Sequence, residues 1–318
     1  MGSISAARRA RGRRRFVASA LSAMSAALLA PLARGQSGGG SAERLIVSGA
    51  SGQLGGRVVE ELLRLGVPAD RLILVSRTPD GLGAHAERGA AVRYGDFTEP
   101  ASLPAAYEGG TRLLLISIGR TRLPRPEAHR NAIEAAVAAD VRHVAYTSWI
   151  GISHGETGGL APDHAATEEI LRGSGAAWTM LRNSIYMNGV VQEAAAMLAA
   201  GRVSVPANAA RITYVTREDC AAAAAAVLAG AGHENRAYDI TGAEAVGPRE
   251  IALAATAVTG EAIEIVAAPA GPPSPFDSPG VATPSDDFAR LTGRPPTTVR
   301  EFLAAHRAAL LSAARAPA

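Results

Sequence analysis

Short runs of apolar residues alternate with amphipathic stretches along most of the chain, beginning at Arg44. The runs lie at residues 45–48, 72–75, 91–94, 113–116, 144–147 and 178–181. Between the fourth and fifth runs, the alanine-rich stretch 127–139 has the length of a helix. Apolar strands separated by such helices are typical of a parallel sheet that is covered on both faces. Because these crossovers are right-handed, the pattern predicts an α/β fold with a Rossmann-type doubly wound parallel sheet.

The pattern is less regular after Tyr186. Helical spacing recurs at 217–228, 249–258 and 298–311, the last as an amphipathic closing helix, and 269–284 is a loop rich in Pro, Gly and Ser. No internal repeat is found. A chain of 318 residues has room for one large core, so we expect a single domain over residues 43–318.

Residues 1–35 have the parts of a secretory signal peptide. A basic segment is followed by an uncharged, alanine-rich stretch at 17–32, which is short for a membrane span. The sequence Arg13-Arg14-Arg15-Phe16-Val17 resembles the twin-arginine motif of proteins that are exported already folded. We therefore predict export to the periplasm or beyond, with 36–42 as a linker and no stable membrane span in the mature form. The alternative is that translation begins at or after Met24 and the protein stays cytoplasmic.

Charge and composition exclude several kinds of chemistry. All 32 basic residues are arginine, so a Schiff-base lysine, a P-loop lysine and a Tyr-x-x-x-Lys dyad are excluded. Residues 1–35 hold seven arginines and no acid, and subtracting these seven charges from the net +3 leaves −4. The body of the chain is therefore not expected to bind nucleic acid. One cysteine and scattered histidines give no metal-ligand pattern, and we expect no metal.

A glycine-rich loop follows the first predicted strand and precedes the first predicted helix. It is made of Gly49, Ala50, Ser51, Gly52, Gln53, Leu54 and Gly55. In this motif the first glycine permits a tight turn, the second lets the backbone approach a pyrophosphate, and the third lets the helix pack on the strand. The phosphates then meet the free N–H groups at the start of the helix. The loop predicts a dinucleotide site, and the alternative is a purely structural turn.

The end of the second predicted strand favours NADP(H) over NAD(H). An NAD site usually has a carboxylate there, whereas this chain has Ser76-Arg77-Thr78 and no acid before Asp80. Arg77 is suited to pair with a 2′-phosphate, and its alternative is a solvated surface arginine. Asp96 and Phe97 end the third strand. There the Asp96 carboxylate is a candidate acceptor for the adenine amine, or else it caps the next turn.

Together these residues resemble the NmrA-like group of atypical short-chain dehydrogenases, which includes bacterial NAD(P)H:quinone oxidoreductases and triphenylmethane reductase. The matching stretches are 48–55, 113–117, 129–131, 146–148, 163–168 and 181–183. The resemblance implies an NADP(H)-binding domain with a small C-terminal substrate lobe, built here mainly from residues 184–318. It also implies that the cofactor is lined by Ser117, Thr147, Ser148 and the loop from Gly159 to His164, with Asn183 and Tyr186 near the nicotinamide.

The chain departs from the NmrA-like pattern at two places. That group often has Gly-Trp after Leu-Arg-Asn, whereas Ser184 and Ile185 stand here, so the ring that would stack beside a flat substrate is missing. A longer helical segment of the group is replaced by the loop 269–284. Both departures fall in the expected substrate lobe, so the identity of the acceptor is open.

We expect an oxidoreductase that transfers hydride from NADPH to a quinone-like or other small organic acceptor. The candidates for proton donation are Tyr186 and His164. Each has a structural alternative: Tyr186 would anchor the following helix, and His164 would bond backbone at a helix start. The alternative function is a catalytically silent NADP-binding sensor or interaction module, because export would separate the protein from a supply of free NADPH.

Overall fold

The computed structural model describes residues 43–119, 121–274, 276 and 278–315 of the 318-residue chain. The predicted signal peptide and linker lie outside these residues. Within the described part of the chain, no helix is long and apolar enough to cross a membrane.

A seven-stranded sheet forms the centre of the fold, and all of its strand pairs are parallel. In chain order the strands are β1 Leu45–Ser48, β2 Leu72–Ser76, β3 Ala91–Tyr94, β4 Arg112–Leu115, β5 His143–Trp149, β6 Ala177–Asn183, β7 Arg202–Pro206, β8 Arg236–Ile240 and β9 Glu264–Ala268. The sheet has the order β3-β2-β1-β4-β5-β6-β8, while β7 and β9 form a separate parallel pair. The order reverses between β1 and β4, so the predicted Rossmann-type sheet is confirmed.

Twelve helices are described. They are α1 Gln53–Arg64, α2 Gly83–Glu87, α3 Leu103–Tyr107, α4 Arg125–Ala138, α5 Ala161–Arg172, α6 Asn188–Ala200, α7 Arg217–Ala229, α8 Pro248–Thr259, α9 Pro279–Ala282, α10 Asp287–Thr292, α11 Val299–Ala305 and α12 Arg307–Ala314.

The two faces of the sheet bury separate apolar clusters. Successive residues of β1 alternate between them: Leu45 and Val47 pack on the face covered by α1 and α7, and Ile46 packs on the face covered by α3 and α4. Alanines along α7 let this helix lie close to α1 and to the strands beneath it. With both faces covered, the strands are continuously apolar, which is why the apolar runs predicted them.

A third apolar cluster joins α6, α8, α11 and α12 beside the β7–β9 pair. The sequence pattern predicted α8 closely, but it gave no bounds for α6, the helix after Tyr186, and it missed the three strands that follow β6. The predicted closing helix 298–311 is two helices that meet at His306, whose backbone is not helical. The imidazole Nδ1 of His306 lies 2.8 Å from the carbonyl oxygen of Phe302, so the side chain gives this carbonyl a hydrogen-bond partner where the two helices meet.

Candidate functional site

The glycine-rich loop forms a tight turn at the carboxyl edge of the sheet. The amides of Gly49 and Ala50 both donate to the carbonyl of Val75 on β2, at 2.9 and 3.0 Å. Gly49 has a φ of +96°, a conformation that favours glycine. The Gly49 carbonyl then accepts from the Gly52 amide at 3.0 Å and closes the turn. This geometry matches the role that the sequence predicted for Gly49.

The start of α1 is open to a ligand. A Cβ on Gly55 would overlap the Gly49 carbonyl oxygen and lie 2.8 Å from the Ala50 Cα, so only glycine permits this packing. No side chain caps the N-terminus of α1, and its first turn contains no acid. The exposed Gln53 therefore presents a free amide at the positive end of a 12-residue helix, whereas Leu54 is buried in the core. These features suit a pyrophosphate.

A cavity of about 360 Å³ lies beside this loop. It is lined by Ser48, Gly49, Ser51, Gly52, Ser76, Arg77, Thr78, Gly95, Asp96, Phe97, Ile118 and Thr121. Residues that the sequence placed at the ends of the first three strands thus meet in one space. The volume and lining suit the adenosine half of a dinucleotide.

Hydroxyl groups shape the end of β2 and leave Arg77 free to reach a ligand. The Ser51 Oγ lies 2.5 Å from the Ser76 Oγ, which also accepts from the Thr78 amide at 2.9 Å. Arg77 is exposed, lines the cavity and has no acidic partner among the residues that the structure describes. The cavity lining has a carboxylate at Asp96, but none at the end of β2. A 2′-phosphate would therefore meet a cation and hydroxyl groups there.

Asp96 does cap a turn, which was the structural alternative. Its Oδ1 accepts from the Thr98 amide at 2.8 Å and from the Thr98 hydroxyl at 2.9 Å. The neighbouring Phe97 is buried, and its ring meets His129 edge-on with 6.1 Å between the centroids. Asn131 donates to the Phe97 carbonyl at 2.9 Å. These contacts fix the cavity wall, and Asp96 still faces the cavity.

The predicted polar residues after β4 and on β5 lie in two different environments. Thr147 accepts from the amide of Ser117 at 2.8 Å, so these two residues meet at the carboxyl edge. Ser148 instead donates to the fully buried Glu168 at 2.7 Å. Burial raises the pKa of Glu168, but hydrogen bonds from Arg182 and Ser148 outweigh it and lower the pKa. The Ser148 hydroxyl therefore stabilises the buried ion pair of Glu168 and Arg182.

His164 lies in a buried polar cluster behind β5. Its Nδ1 is 2.7 Å from the Tyr146 hydroxyl, and its side chain is on the face covered by α4 and α5. In the same cluster the Ile118 amide donates to His129 Nε2 at 3.1 Å, so the proton of a neutral His129 is on Nδ1. Burial and then the nearby Arg125 charge lower the pKa of His164 to about 4, so the ring is neutral at pH 7. When the Tyr146 hydroxyl donates to Nδ1 of His164, the single ring proton of the neutral His164 imidazole is on Nε2.

Asn183 is the last residue of β6, and Tyr186 lies three positions later in the chain. Asn183 is 6% exposed, and its Oδ1 is buried with no hydrogen-bond partner among the described residues. Tyr186 pairs with Val215 by a short parallel bridge, and the Arg217 guanidinium lies 4.7 Å from the centre of its ring. Burial raises the pKa of Tyr186 well above its usual value, so the phenol stays protonated. An orphaned acceptor beside a phenol is suited to hold a ligand amide.

The two candidates for proton donation, Tyr186 and His164, lie apart in the structure. Tyr186 packs on the face covered by α1 and α7, whereas His164 lies on the opposite face, and no described hydrogen bond joins them. Gly159 is exposed in a turn with a φ of +61° before α5. The sequence reasoning missed Arg217, whose only local signal was its place as the first residue of α7 after the capping Thr216.

A family described as NAD(P)H-binding matches residues 49–231. The chain belongs to this family. Quinone oxidoreductase 2 of Escherichia coli is 38% identical over 69% of this chain and 76% of the relative. The structure of the NADPH-dependent quinone oxidoreductase of E. coli with NADPH has a TM-score of 0.74 at 33% identity, covering 82% of this chain and 99% of that one. Triphenylmethane reductase of Citrobacter sp. with NADP(H) has a TM-score of 0.70 at 30% identity, covering 85% and 99%.

These matches confirm the predicted likeness to bacterial quinone oxidoreductases and triphenylmethane reductase, the Rossmann-type fold and the assignment of NADP(H) as the cofactor. The match over residues 49–231 begins at the glycine-rich loop and includes α7. The chain is therefore an NAD(P)H-dependent oxidoreductase of small acceptors.

Proposed function

We propose that this protein transfers hydride from NADPH to a planar, quinone-like acceptor. The observation that carries the choice of cofactor is the end of β2, where exposed Arg77 faces the cavity without an acidic partner among the described residues. The acceptor class rests on the two similar reductases, one named for quinones and one for triphenylmethane dyes. Both kinds of molecule are conjugated electrophiles that can accept a hydride.

The described residues fit the two halves of the cofactor. The uncapped amides at the start of α1 would hold the pyrophosphate, and Arg77 would pair with the 2′-phosphate. The orphaned Oδ1 of Asn183 would accept from the carboxamide of the nicotinamide. Bound NADPH supplies the hydride, and the residues of the protein orient it and exclude water.

In this proposal Tyr186 stabilises the reduced acceptor by a hydrogen bond, and His164 has an orienting role. Two-electron reduction of a quinone leaves an anionic oxygen, which takes a proton from a donor or from solvent. The raised pKa of Tyr186 keeps its phenol protonated and able to donate a hydrogen bond to that oxygen. His164 is neutral at pH 7 and lies within hydrogen-bond distance of the Tyr146 hydroxyl, so it fixes the orientation of this side chain on β5. Arg217 stacks on Tyr186 and fixes its ring.

Purified protein decides between a reductase and a silent sensor. We expect NADPH to be consumed when a quinone is added, with hydroquinone formed in equal amount. Absorbance of the NADPH band and chromatography of the product measure both. Tight NADPH binding without consumption for any quinone or triphenylmethane dye would contradict the reductase and support the sensor.

The predicted export and the position of the acceptor in the substrate lobe are two further parts of this proposal. A twin-arginine route would carry the domain already folded, with its cofactor bound, past the membrane. Replacing Arg13 and Arg14 by lysine should then leave the full-length protein folded in the cytoplasm. Cell fractionation with N-terminal sequencing measures this, and export that persists in the double variant would contradict the route. We assign the acceptor to the substrate lobe, which is built mainly from residues 184–318.

A further inference from the structure

The chain has two tryptophans, and they lie at different ends of the β5–β6 pair. Trp178 is near the amino end of β6, where its register partner is Val144, and the Arg172 guanidinium lies 5.3 Å from its ring. Trp149 is the last residue of β5, and its register partner is Asn183. Trp149 therefore lies at the same edge of the sheet as the orphaned amide oxygen.

The indole of Trp149 is held in place by a carboxylate. Its Nε1 donates to Glu156 Oε2 at 2.7 Å, and the other carboxylate oxygen accepts from the hydroxyl of Ser278. A Cβ on Gly151 would overlap both Glu156 Oε2 and Trp149 Nε1, so this close packing requires glycine. With its one polar atom engaged, the ring has a fixed orientation and keeps a half-buried apolar face.

The loop that departs from the family pattern docks at the same place. Ser278 caps the short helix α9, and a Cβ on Gly280 of that helix would lie only 3.0 Å from the Gly151 Cα. The amide and hydroxyl of Thr213 both donate to the Val281 carbonyl, at 2.7 and 2.9 Å. The segment 278–283 is thereby attached both to the end of β5 and to the chain after β7.

These contacts form a small apolar surface beside Asn183. Its buried base is Ile150, Ile212 and Val281, and three half-buried side chains pack against this base: Trp149, Ile185 and Tyr214. Ile185 stands where the NmrA-like pattern often has an aromatic ring. The sequence alone indicates that this ring is missing, but the structure packs Trp149, from the neighbouring strand, against the same apolar base as Ile185.

We propose that Trp149 is a specificity-determining residue whose ring face binds a planar, fused-ring acceptor, and that Glu156 is its positioning residue. This proposal rests on the proposed function and names the part of the acceptor site that selects flat molecules. Trp149 replaces, from β5, the ring that is missing after Asn183. Small acceptors with one ring cover less of the indole and depend on it less.

The kinetic test compares Trp149→Leu with the matched variant Trp178→Leu. With 9,10-phenanthrenequinone, Trp149→Leu should raise KM by about two- to tenfold, the range expected for one aromatic pair. KM for 1,4-benzoquinone and the Kd of NADPH should be nearly unchanged, and Trp149→Phe should restore most of the loss. An unchanged KM in Trp149→Leu, or an equal rise in Trp178→Leu, would overturn the proposal.

A binding test needs no turnover. In Trp178→Phe protein loaded with NADP⁺, Trp149 is the sole tryptophan, and 9,10-phenanthrenequinone should quench its emission in a saturable way. The matched Trp149→Leu protein, whose sole tryptophan is Trp178, should show only unsaturable quenching, and equal saturable quenching in both would overturn the proposal. Saturable quenching at Trp149 alone, in protein that does not oxidise NADPH, would contradict the proposed function and support this inference.

The positioning role of Glu156 has its own readout. In the Trp178→Phe background, Glu156→Ala should lower the fluorescence anisotropy of Trp149 and raise KM for 9,10-phenanthrenequinone without changing the Kd of NADPH. Glu156→Gln keeps an acceptor for the indole N–H and should restore both values. Anisotropy and KM that are unchanged in Glu156→Ala would contradict this role.

Discussion

The adenosine end and the acceptor end of the proposed site are built in different ways. The adenosine end uses the contiguous loop from Gly49 to Gly55 and the residues that directly follow β2 and β3. The acceptor end combines the end of β5, the end of β6, the chain before α7 and the segment around α9. One end is therefore encoded locally, and the other depends on contacts between residues far apart in the sequence.

This difference sets how each end tolerates change. At Gly49 the positive φ disfavours any side chain, and at Gly55 an added Cβ meets backbone atoms that have little room to move. At the acceptor end the walls are side chains on a scaffold, so a substitution changes the shape and chemistry of the wall. We expect large effects at the adenosine end and smaller, acceptor-dependent effects at the other.

Gly52→Val should cause the largest loss. Its Cβ would lie 3.2 Å from the Gly49 carbonyl oxygen, and the rest of the valine would occupy the place of the pyrophosphate. We expect NADPH affinity to fall by about a hundredfold or more, because only a hydrogen fits there. Fluorescence titration measures this, with circular dichroism to show that the domain remains folded. Gly56→Val, one turn later with 3.8 Å to its nearest contact, is the matched control and should bind NADPH.

Arg77→Ala should weaken NADPH much more than NADH. A charge-assisted pair is worth about 1.5–3 kcal/mol, which corresponds to roughly 10- to 100-fold in affinity. The exposed Arg88, which is not in the cavity lining, gives the matched control Arg88→Ala. Equal losses for NADPH and NADH would show that Arg77 does not contact the 2′-phosphate.

Tyr186→Phe should have a moderate effect on turnover. Removing one hydrogen-bond donor costs about 1 kcal/mol, so kcat for a quinone should fall by about fivefold while the Kd of NADPH is kept. His164→Gln should lower kcat less, because His164 lies on the opposite face of the sheet in contact with Tyr146. Steady-state kinetics of both variants measure this, and a larger loss in His164→Gln would reverse the assigned roles.

The smallest effect is the pH dependence of kcat between pH 6 and 8, which should be nearly flat. Burial first, and then the Arg125 charge, lower the pKa of His164 to about 4, and burial raises the pKa of Tyr186, so neither group titrates in this range. A bell-shaped profile centred near pH 7 would contradict this assignment.

Stability should respond to acid more than turnover does. Unfolded histidine takes up a proton near its ordinary pKa of about 6.5, whereas folded His164 stays neutral down to about 4. The unfolded state then binds more protons, so the free energy of unfolding should fall as the pH drops from about 6.5 to about 4. His143 behaves alike, because burial and then the Arg112 charge lower its pKa to about 4. Urea denaturation of His164→Gln and His143→Gln should show a weaker pH dependence than the wild-type protein.

The sequence by itself determined the first half of the fold and the adenosine end. Apolar runs predicted β1 to β6 because strands covered on both faces must be apolar throughout. The glycine spacing and Arg77 predicted an NADP(H) site because a turn, a helix start and a strand end are local features. The strand β8, with its half-buried pattern at the sheet edge, gave no such run and was missed.

Only the tertiary structure decided which distant side chains meet. It placed Ser148 on the buried Glu168, separated His164 from Tyr186 across the sheet, and stacked Arg217 on Tyr186. It also brought Trp149, Glu156 and Ser278 together beside Asn183. Such contacts depend on strand register and on the docking of α7 and α9, which arise from packing across the whole domain. Spacing along the chain carries no information about them, because residues that touch in space are far apart in the sequence, as Glu156 and Ser278 are at 122 positions.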